Sequence, residues 1–291
     1  MKTLLINKTN SPILSDIEKS RFQFGKNWAK FLNTFSLERL EEAKKSLCSA
    51  LGYKNLQGIK FLDIGSGSGL FSLSDYQLGA TVYSFDYDQN SVECTKYLKQ
   101  KYAANSDNWT VESGSVLDQN FLKKFGQVDI VYSWGVLHHT GNMYQAFSNE
   151  AQLLKPKGKL FISIYNDQGS ASKLWFWIKK NYNQSGKAIR FILVIYTLFR
   201  QWMITFIKDF LKTANFLKSW NQYGKNRGMS AWYDLIDWVG GYPFEVASPE
   251  QVFNFFQDKG FTLQYLKTCG GGIGCNEFVF KKIINCDEYR T

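Results

Sequence analysis

The order of apolar and polar positions divides this chain into three stretches. Residues 14–52 scatter apolar positions such as Phe22, Trp28, Phe31, Leu32 and Leu40 among charges, which predicts helix with Gly52 as its stop. Beyond Gly52, short apolar runs at 59–64, 81–85, 109–112, 128–133 and 160–164 predict five strands, with a helix over 90–103. Short apolar strands separated by helix-length segments predict a parallel sheet covered on both faces.

The alternation then stops, and residues 168–233 read as long helices without a strand. It resumes at Ser248-Pro249-Glu250-Gln251, where Ser suits the N-cap, Pro the first turn and Gln the capping box. Gly260 ends that helix. Strands at 262–266 and 277–281, joined through the glycine-rich stretch 269–275, predict an antiparallel hairpin at a sheet edge. The predicted organisation is an N-terminal helical cap (1–52), an α/β core (53–167 and 243–284) and a helical insertion (168–242).

Composition narrows the class. An apolar fraction of 44% and a charged fraction of 21% exclude disordered, collagen-like and acidic-tail chains. The five cysteines, Cys48, Cys94, Cys269, Cys275 and Cys286, are odd in number and form no Cys-x-x-Cys pair, so neither a disulfide framework nor a metal site is expected. The apolar run in residues 1–7 is too short for a signal segment. No run reaches the roughly 18 uncharged apolar residues of a spanning helix. The expectation is a soluble, cytoplasmic protein.

Asp63-Ile64-Gly65-Ser66-Gly67-Ser68-Gly69 stands at a strand-to-helix junction, where glycine lets the backbone turn sharply and approach a ligand. Leu70 occupies the position of the last glycine in the dinucleotide fingerprint, so the pattern is G-x-G-x-G behind an acid. An acid there repels a pyrophosphate and attracts an ammonium group. Asp86, at the end of the second strand, is placed to accept from ribose hydroxyls. Asp88 suits a helix start, and Cys94 a small core position.

With these residues in order, the chain resembles the class I S-adenosylmethionine-dependent methyltransferases. Residues 61–69 are similar to that family's first motif, Ser84-Phe85-Asp86-Tyr87-Asp88 to its ribose motif, and Gly114-Ser115-Val116-Leu117-Asp118 to its adenine loop. Residues 128–139 resemble the fourth-strand motif, and Leu154-Lys155-Pro156-Lys157-Gly158 the turn before the fifth strand. The resemblance implies a Rossmann-like, mostly parallel seven-stranded sheet with an antiparallel edge strand. It implies S-adenosyl-L-methionine as cofactor and S-adenosyl-L-homocysteine as product. It also implies cofactor contacts from Asp63, Gly65, Ser66, Gly67, Gly69, Asp86, Tyr87, Ser115, Val116 and Ser133. The nearest branch contains ubiquinone-biosynthesis O-methyltransferases and small-molecule or glycan methyltransferases, which implies a hydroxyl acceptor on a small molecule, a sugar or a lipid-linked compound. The family often has Asp where Ser115 stands.

Methyl transfer is an in-line displacement, and a hydroxyl acceptor profits from a base. The only two histidines, His138 and His139, follow the fourth strand at the carboxyl edge where open α/β sheets bind ligands, and are the expected bases. Adjacent side chains diverge, so a metal site is not expected. Residues 21–28, Arg21-Phe22-Gln23-Phe24-Gly25-Lys26-Asn27-Trp28, are read as folding over the cofactor or as packing on the sheet. Tyr165-Asn166-Asp167 lies at the same edge and is read as an acceptor contact or a loop start.

The net charge of +10 has one source. Residues 168–233 hold eleven Lys and Arg, fifteen aromatics and a single acid, Asp209. This insertion is read as a lid over the acceptor, with a membrane surface, a second subunit or the core itself as its partner. Nucleic acid fits less well, because the bases stand among bulky aliphatics. N-methylation of RNA or protein, or a non-catalytic cofactor-binding subunit, are the alternative functions.

Overall fold

The computed structural model describes residues 20–25, 35–227 and 231–283. The sheet comprises β1 (Lys60–Ile64), β2 (Thr81–Asp86), β3 (Trp109–Ser113), β4 (Val128–Trp134), β5 (Leu154–Tyr165), β6 (Phe261–Lys267) and β7 (Cys275–Lys282). Their order is β3-β2-β1-β4-β5-β7-β6, with β1 to β5 parallel and β7 antiparallel to both neighbours. The predicted hairpin therefore closes one edge, and β7, the reversed strand, sits one place inside it. The order reverses between β1 and β4, which opens a crevice at the carboxyl ends of these two strands.

Strand alternation sends successive residues to opposite faces. Phe61 joins Val82 and Ile130 against Leu40 and Leu47 of α1 (Leu37–Leu51), Leu73 of α2 (Leu70–Gln77) and Leu98 of α3 (Gln89–Ala103). Leu62 and Ile64 join Val131 on the other face, under Met143 and Phe147 of α5 (Met143–Leu153) and Phe256 of α10 (Pro249–Asp258). A short α4 (Gln119–Leu122) lies between β3 and β4. The predicted cap of α10 forms as read: Ser248 Oγ accepts from Gln251 N (3.2 Å), and Ser248 N donates to Gln251 Oε1 (2.9 Å). Leu154 pairs with Val128 and Lys159 with Ile130, so residues 155–158 bulge from the ladder, and Lys157 has a positive φ of 66°.

After β5 the chain forms α6 (Ser170–Gln184), α7 (Lys187–Thr213), α8 (Lys218–Arg227) and α9 (Ala231–Gly240). Trp175, Ile178, Leu193, Leu235 and Val239 give these helices a small core of their own, closed by Phe244.

Two expectations need correction. Continuous helix over 14–52 does not form: residues 21–24 are non-helical, and α1 starts only at its Ser36 cap, whose side chain accepts from Arg39 N. Residues 14–19 and 26–34, with Trp28, Phe31 and Leu32, lie outside the described residues. Gly52 does stop the helix, at φ 68°. The second correction concerns membrane-length segments. By length and composition α7 is apolar enough to cross a membrane. A strict count of uncharged positions breaks at Arg200, whereas a helix of this length tolerates one charge.

Candidate functional site

The crevice is a cavity of about 1110 Å³ lined by the β1–α2 loop, the ends of β2 and β4, the loop after β3, and the insertion. Its floor follows from the glycine loop. Gly65 has φ 78°, and a Cβ there would stand 2.4 Å from Val136 Cγ2, so both the left-handed turn and the close approach require glycine. The Gly65 and Ser66 amides donate to Phe85 O (2.8 and 3.1 Å), tying the loop to β2. Gly69 caps α2 and packs on Thr95 rather than facing the cavity.

Two carboxylates flank this floor. Asp86 receives Gly67 N on Oδ2 and Asp88 N on Oδ1, both at 2.9 Å. Burial nevertheless raises its pKa to about 6, against the pull of those amides. Asp63 is buried at the end of β1 and accepts from the Ser72 hydroxyl. Behind it, Trp109 Nε1 donates to Ser84 Oγ (2.9 Å), which donates to Ser72 Oγ (2.8 Å). An indole N–H can only donate, so it orients both hydroxyls and aims the last proton at Asp63. Burial still raises the Asp63 carboxyl to about 7, partly offset by Ser72.

Tyr87, Ser115 and Val116 line the cavity beside these acids. Ser115 Oγ accepts from Leu117 N (3.2 Å), and Val116 O accepts from Asn149 Nδ2 (2.8 Å), which fixes the loop after β3. Ser133, like Gly69, is an exception among the expected contacts. It is fully buried on the opposite face of β4, facing Glu150, while its neighbours Tyr132 and Trp134 reach the cavity. The two-residue period of the strand decides this.

The histidines occupy a single helical turn, Leu137–His139, directly after β4, and both line the cavity. Their hydrogen bonds give them different tautomers. Tyr165 N donates to His138 Nδ1 (3.3 Å), so the proton of His138 is on Nε2. His139 Nδ1 lies 2.7 Å from Pro243 O, and a carbonyl only accepts, so His139 carries its proton on Nδ1 and leaves Nε2 with a lone pair. Burial lowers the pKa of both, that of His139 to about 3, with Lys179 and Arg21 adding repulsion and the Pro243 bond opposing it.

Segments remote in sequence hold this turn. Glu245 N donates to His138 O (2.9 Å), and the Glu245 carboxylate accepts from Gly141 N (3.0 Å) and Met143 N (3.1 Å). Arg21 donates to the carbonyls of His139 (2.9 Å) and Thr140 (3.0 Å), and its guanidinium stands 4.6 Å from the Tyr87 ring centre. Phe22 N donates to Tyr242 O and Gly25 N to Asp88 Oδ2, both at 2.9 Å, while Phe24 packs on His139. Residues 21–25 thus form a strap over the crevice. Lys26, Asn27 and Trp28 lie outside the described residues.

The insertion supplies the far wall with Arg200, Gln201, Trp202, Asp234, Asp237 and Trp238. Lys179 of α6 is buried behind it. It donates to Trp238 O with its ammonium 4.1 Å from the Trp238 ring and 4.9 Å from Phe244, and burial lowers its pKa to about 7. With Asn183 Nδ2 donating to Gly240 O (2.6 Å), it fixes the carbonyl end of α9. Tyr165 lines the cavity between the histidines and this wall, whereas Asn166 bonds to Asn276. Pro243, Glu245, Ser72, Ser84 and Lys179 carry no local sequence signal. Their partners lie on other elements.

Known proteins resemble this chain in sequence and in fold. The ubiquinone biosynthesis O-methyltransferase of Bartonella bacilliformis is 28% identical over 173 residues, 56% of this chain and 68% of that protein. The protein of the same name from Brucella ovis is 27% identical over 140 residues, 46% of this chain and 54% of that protein. The chain therefore spans between about half and two thirds of these relatives. Magnesium protoporphyrin IX methyltransferase from Synechocystis PCC 6803, solved with bound SAM, superimposes with a TM-score of 0.53 at 12% identity, covering 95% of this chain and 100% of that one, and shares the fold. A family model described as a methyltransferase domain matches residues 35–217, from α1 across the glycine loop, the two acids and the histidine turn to the end of α7. The chain belongs to the methyltransferase domain family.

Proposed function

We propose that this protein transfers a methyl group from S-adenosyl-L-methionine to a hydroxyl on a small molecule, a sugar or a lipid-linked acceptor, with His139 as the base. The observation that carries the reading is the pairing of the His139 tautomer with the acid-flanked glycine floor in one cavity. The floor suits the cofactor. Asp63 offers a carboxylate to an ammonium group, Asp86 retains acceptor capacity for ribose hydroxyls, and Gly65 leaves the backbone bare where a Cβ would collide with Val136. Tyr87, Ser115 and Val116 would border the cofactor's adenine.

When bound, the cofactor supplies an electrophilic methyl on a sulfonium. The protein's part is alignment, exclusion of water and proton removal. Phe24 and the strap shield His139, and burial keeps its imidazole neutral at neutral pH. A base of such low pKa accepts the acceptor's proton only as the new bond forms. His138, whose Nδ1 is engaged by Tyr165 N, holds the turn in place.

Calorimetry with S-adenosylhomocysteine tests the cofactor assignment, and Asp86→Ala should weaken binding by roughly 1.5–3 kcal/mol, the loss of charge-assisted hydrogen bonds. Normal binding by Asp86→Ala, or none by the unmodified protein, overturns it. A screen of hydroxyl acceptors with labelled donor then tests the acceptor class.

A further inference from the structure

The 27 residues of α7 span roughly 40 Å, and their two sides differ. The inner side buries Leu193, Val194 and Thr197 against the insertion's core and lines the cavity with Gln201 and Trp202. The outer side runs from Ile189 through Ile192, Tyr196, Phe199 and Met203 to Ile207. These positions recur at three- and four-residue steps and are 41–63% exposed. Ile204 at 66% and Leu211 at 78% widen the stripe. An apolar face of this extent marks an interaction site.

Charge identifies its partner. Lys187, Lys208 and Lys212 stand toward the two ends of the same helix, while Arg190 donates to the Tyr182 and Asn183 carbonyls and Arg200 lines the cavity; its one acid, Asp209, is engaged by the Ser219 amide (2.7 Å) and hydroxyl (2.8 Å). A broad apolar face carried on a cationic helix fits an anionic lipid surface, which takes the aliphatic and aromatic side chains at the acyl boundary and the cations at the head groups. The helix lies on such a surface rather than across it, because spanning would strip Leu193, Val194 and Thr197 from α6 and α9.

We infer that the outer face of α7 docks this protein on an anionic membrane, with the inner face of the same helix serving as the wall of the cavity. The docking stands apart from the methyl-transfer reading. It deepens that reading in one respect: an acceptor with an apolar tail reaches the cavity along α7.

Sedimentation with vesicles of phosphatidylglycerol and phosphatidylcholine tests the inference. The protein should bind the anionic vesicles at low salt, bind pure phosphatidylcholine at least tenfold less, and be released by roughly 0.5 M salt. Ile192→Glu with Phe199→Glu should lower vesicle binding at least tenfold, with S-adenosylhomocysteine affinity unchanged as the check on folding. Lys208→Glu with Lys212→Glu should do so mainly on anionic vesicles, and provides the test if the first variant fails to fold. The inference is overturned if the unmodified protein ignores anionic vesicles or if both variants bind like it. It is also overturned if the protein sediments as a dimer that the glutamates dissociate while vesicles are ignored, since a second copy then covers the face. Vesicle binding without S-adenosylhomocysteine binding would leave docking intact and end the methyl-transfer reading.

Discussion

His139 Nδ1 lies 2.7 Å from the carbonyl oxygen of Pro243, a residue 104 positions further along the chain. That single contact sets which nitrogen can act as a base. His139→Asn should lower kcat by about 10²- to 10⁴-fold, the usual contribution of general-base catalysis, and leave S-adenosylhomocysteine affinity within twofold. With its pKa held near 3, His139 is neutral from pH 5 upward, so kcat at saturating cofactor should show no acid limb between pH 5.5 and 8. A limb near 6.5 that disappears in His139→Asn would show that the base titrates normally.

Cofactor affinity should depend on pH where turnover does not. The Asp63 carboxyl is raised to about 7, and an ammonium group favours its ionised form, so S-adenosylhomocysteine should bind more tightly as pH rises from 5.5 to 8, with proton release. Ser72 donates to that carboxylate and favours ionisation. Ser72→Ala should therefore move the midpoint of this dependence to higher pH and weaken binding at pH 7 by about tenfold or more. Calorimetry in buffers of different ionisation enthalpy reads both effects.

Gly65→Ala separates two kinds of constraint. The new methyl meets the flexible end of Val136, at 2.4 Å, and also forces a side chain onto φ 78°. S-adenosylhomocysteine affinity should fall more than tenfold. Val136→Ala in the same chain should restore part of it, because the left-handed backbone retains a cost of about 1–2 kcal/mol. Full recovery would mean the collision alone mattered.

Asp75 of α2 is fully buried, and neither of its carboxylate oxygens has a hydrogen-bond partner among the described residues. Burial raises its pKa well above the usual carboxylate value, with Asp63 adding repulsion. The native state thus holds a proton that the unfolded chain releases, so this group's contribution to stability falls as pH rises above about 4. Asp75→Asn should be more stable than the parent at pH 8, by about 1–3 kcal/mol, with the advantage shrinking toward pH 4. Denaturant melts at the two pH values measure it.

What could be read from sequence was what lies close along the chain. The glycine loop and Asp86 are legible because turn, strand end and acid follow one another, and the histidines because they directly follow the fourth strand. Ser133 was misplaced by one residue of strand period, since a motif marks a strand end without saying which side chains face the crevice. The choice between His138 and His139 was not legible at all. It rests on Tyr165 and Pro243, and only folding brings them to the imidazoles. The strap was half legible: aromatics and a glycine were evident at 21–25, but helix was the wrong expectation there, because Phe22 and Gly25 spend their backbone amides on Tyr242 and Asp88.

The strap has a kinetic consequence. Its anchors fall on both sides of the crevice: Asp88 at the start of α3 beside the cofactor floor, and the His139 carbonyl and Tyr242 beside the acceptor wall. On the proposed reading, a displacement of Gly25 from Asp88 would be carried by the same five-residue strap to the turn that holds His139, so cofactor exchange and the placement of the base would be coupled.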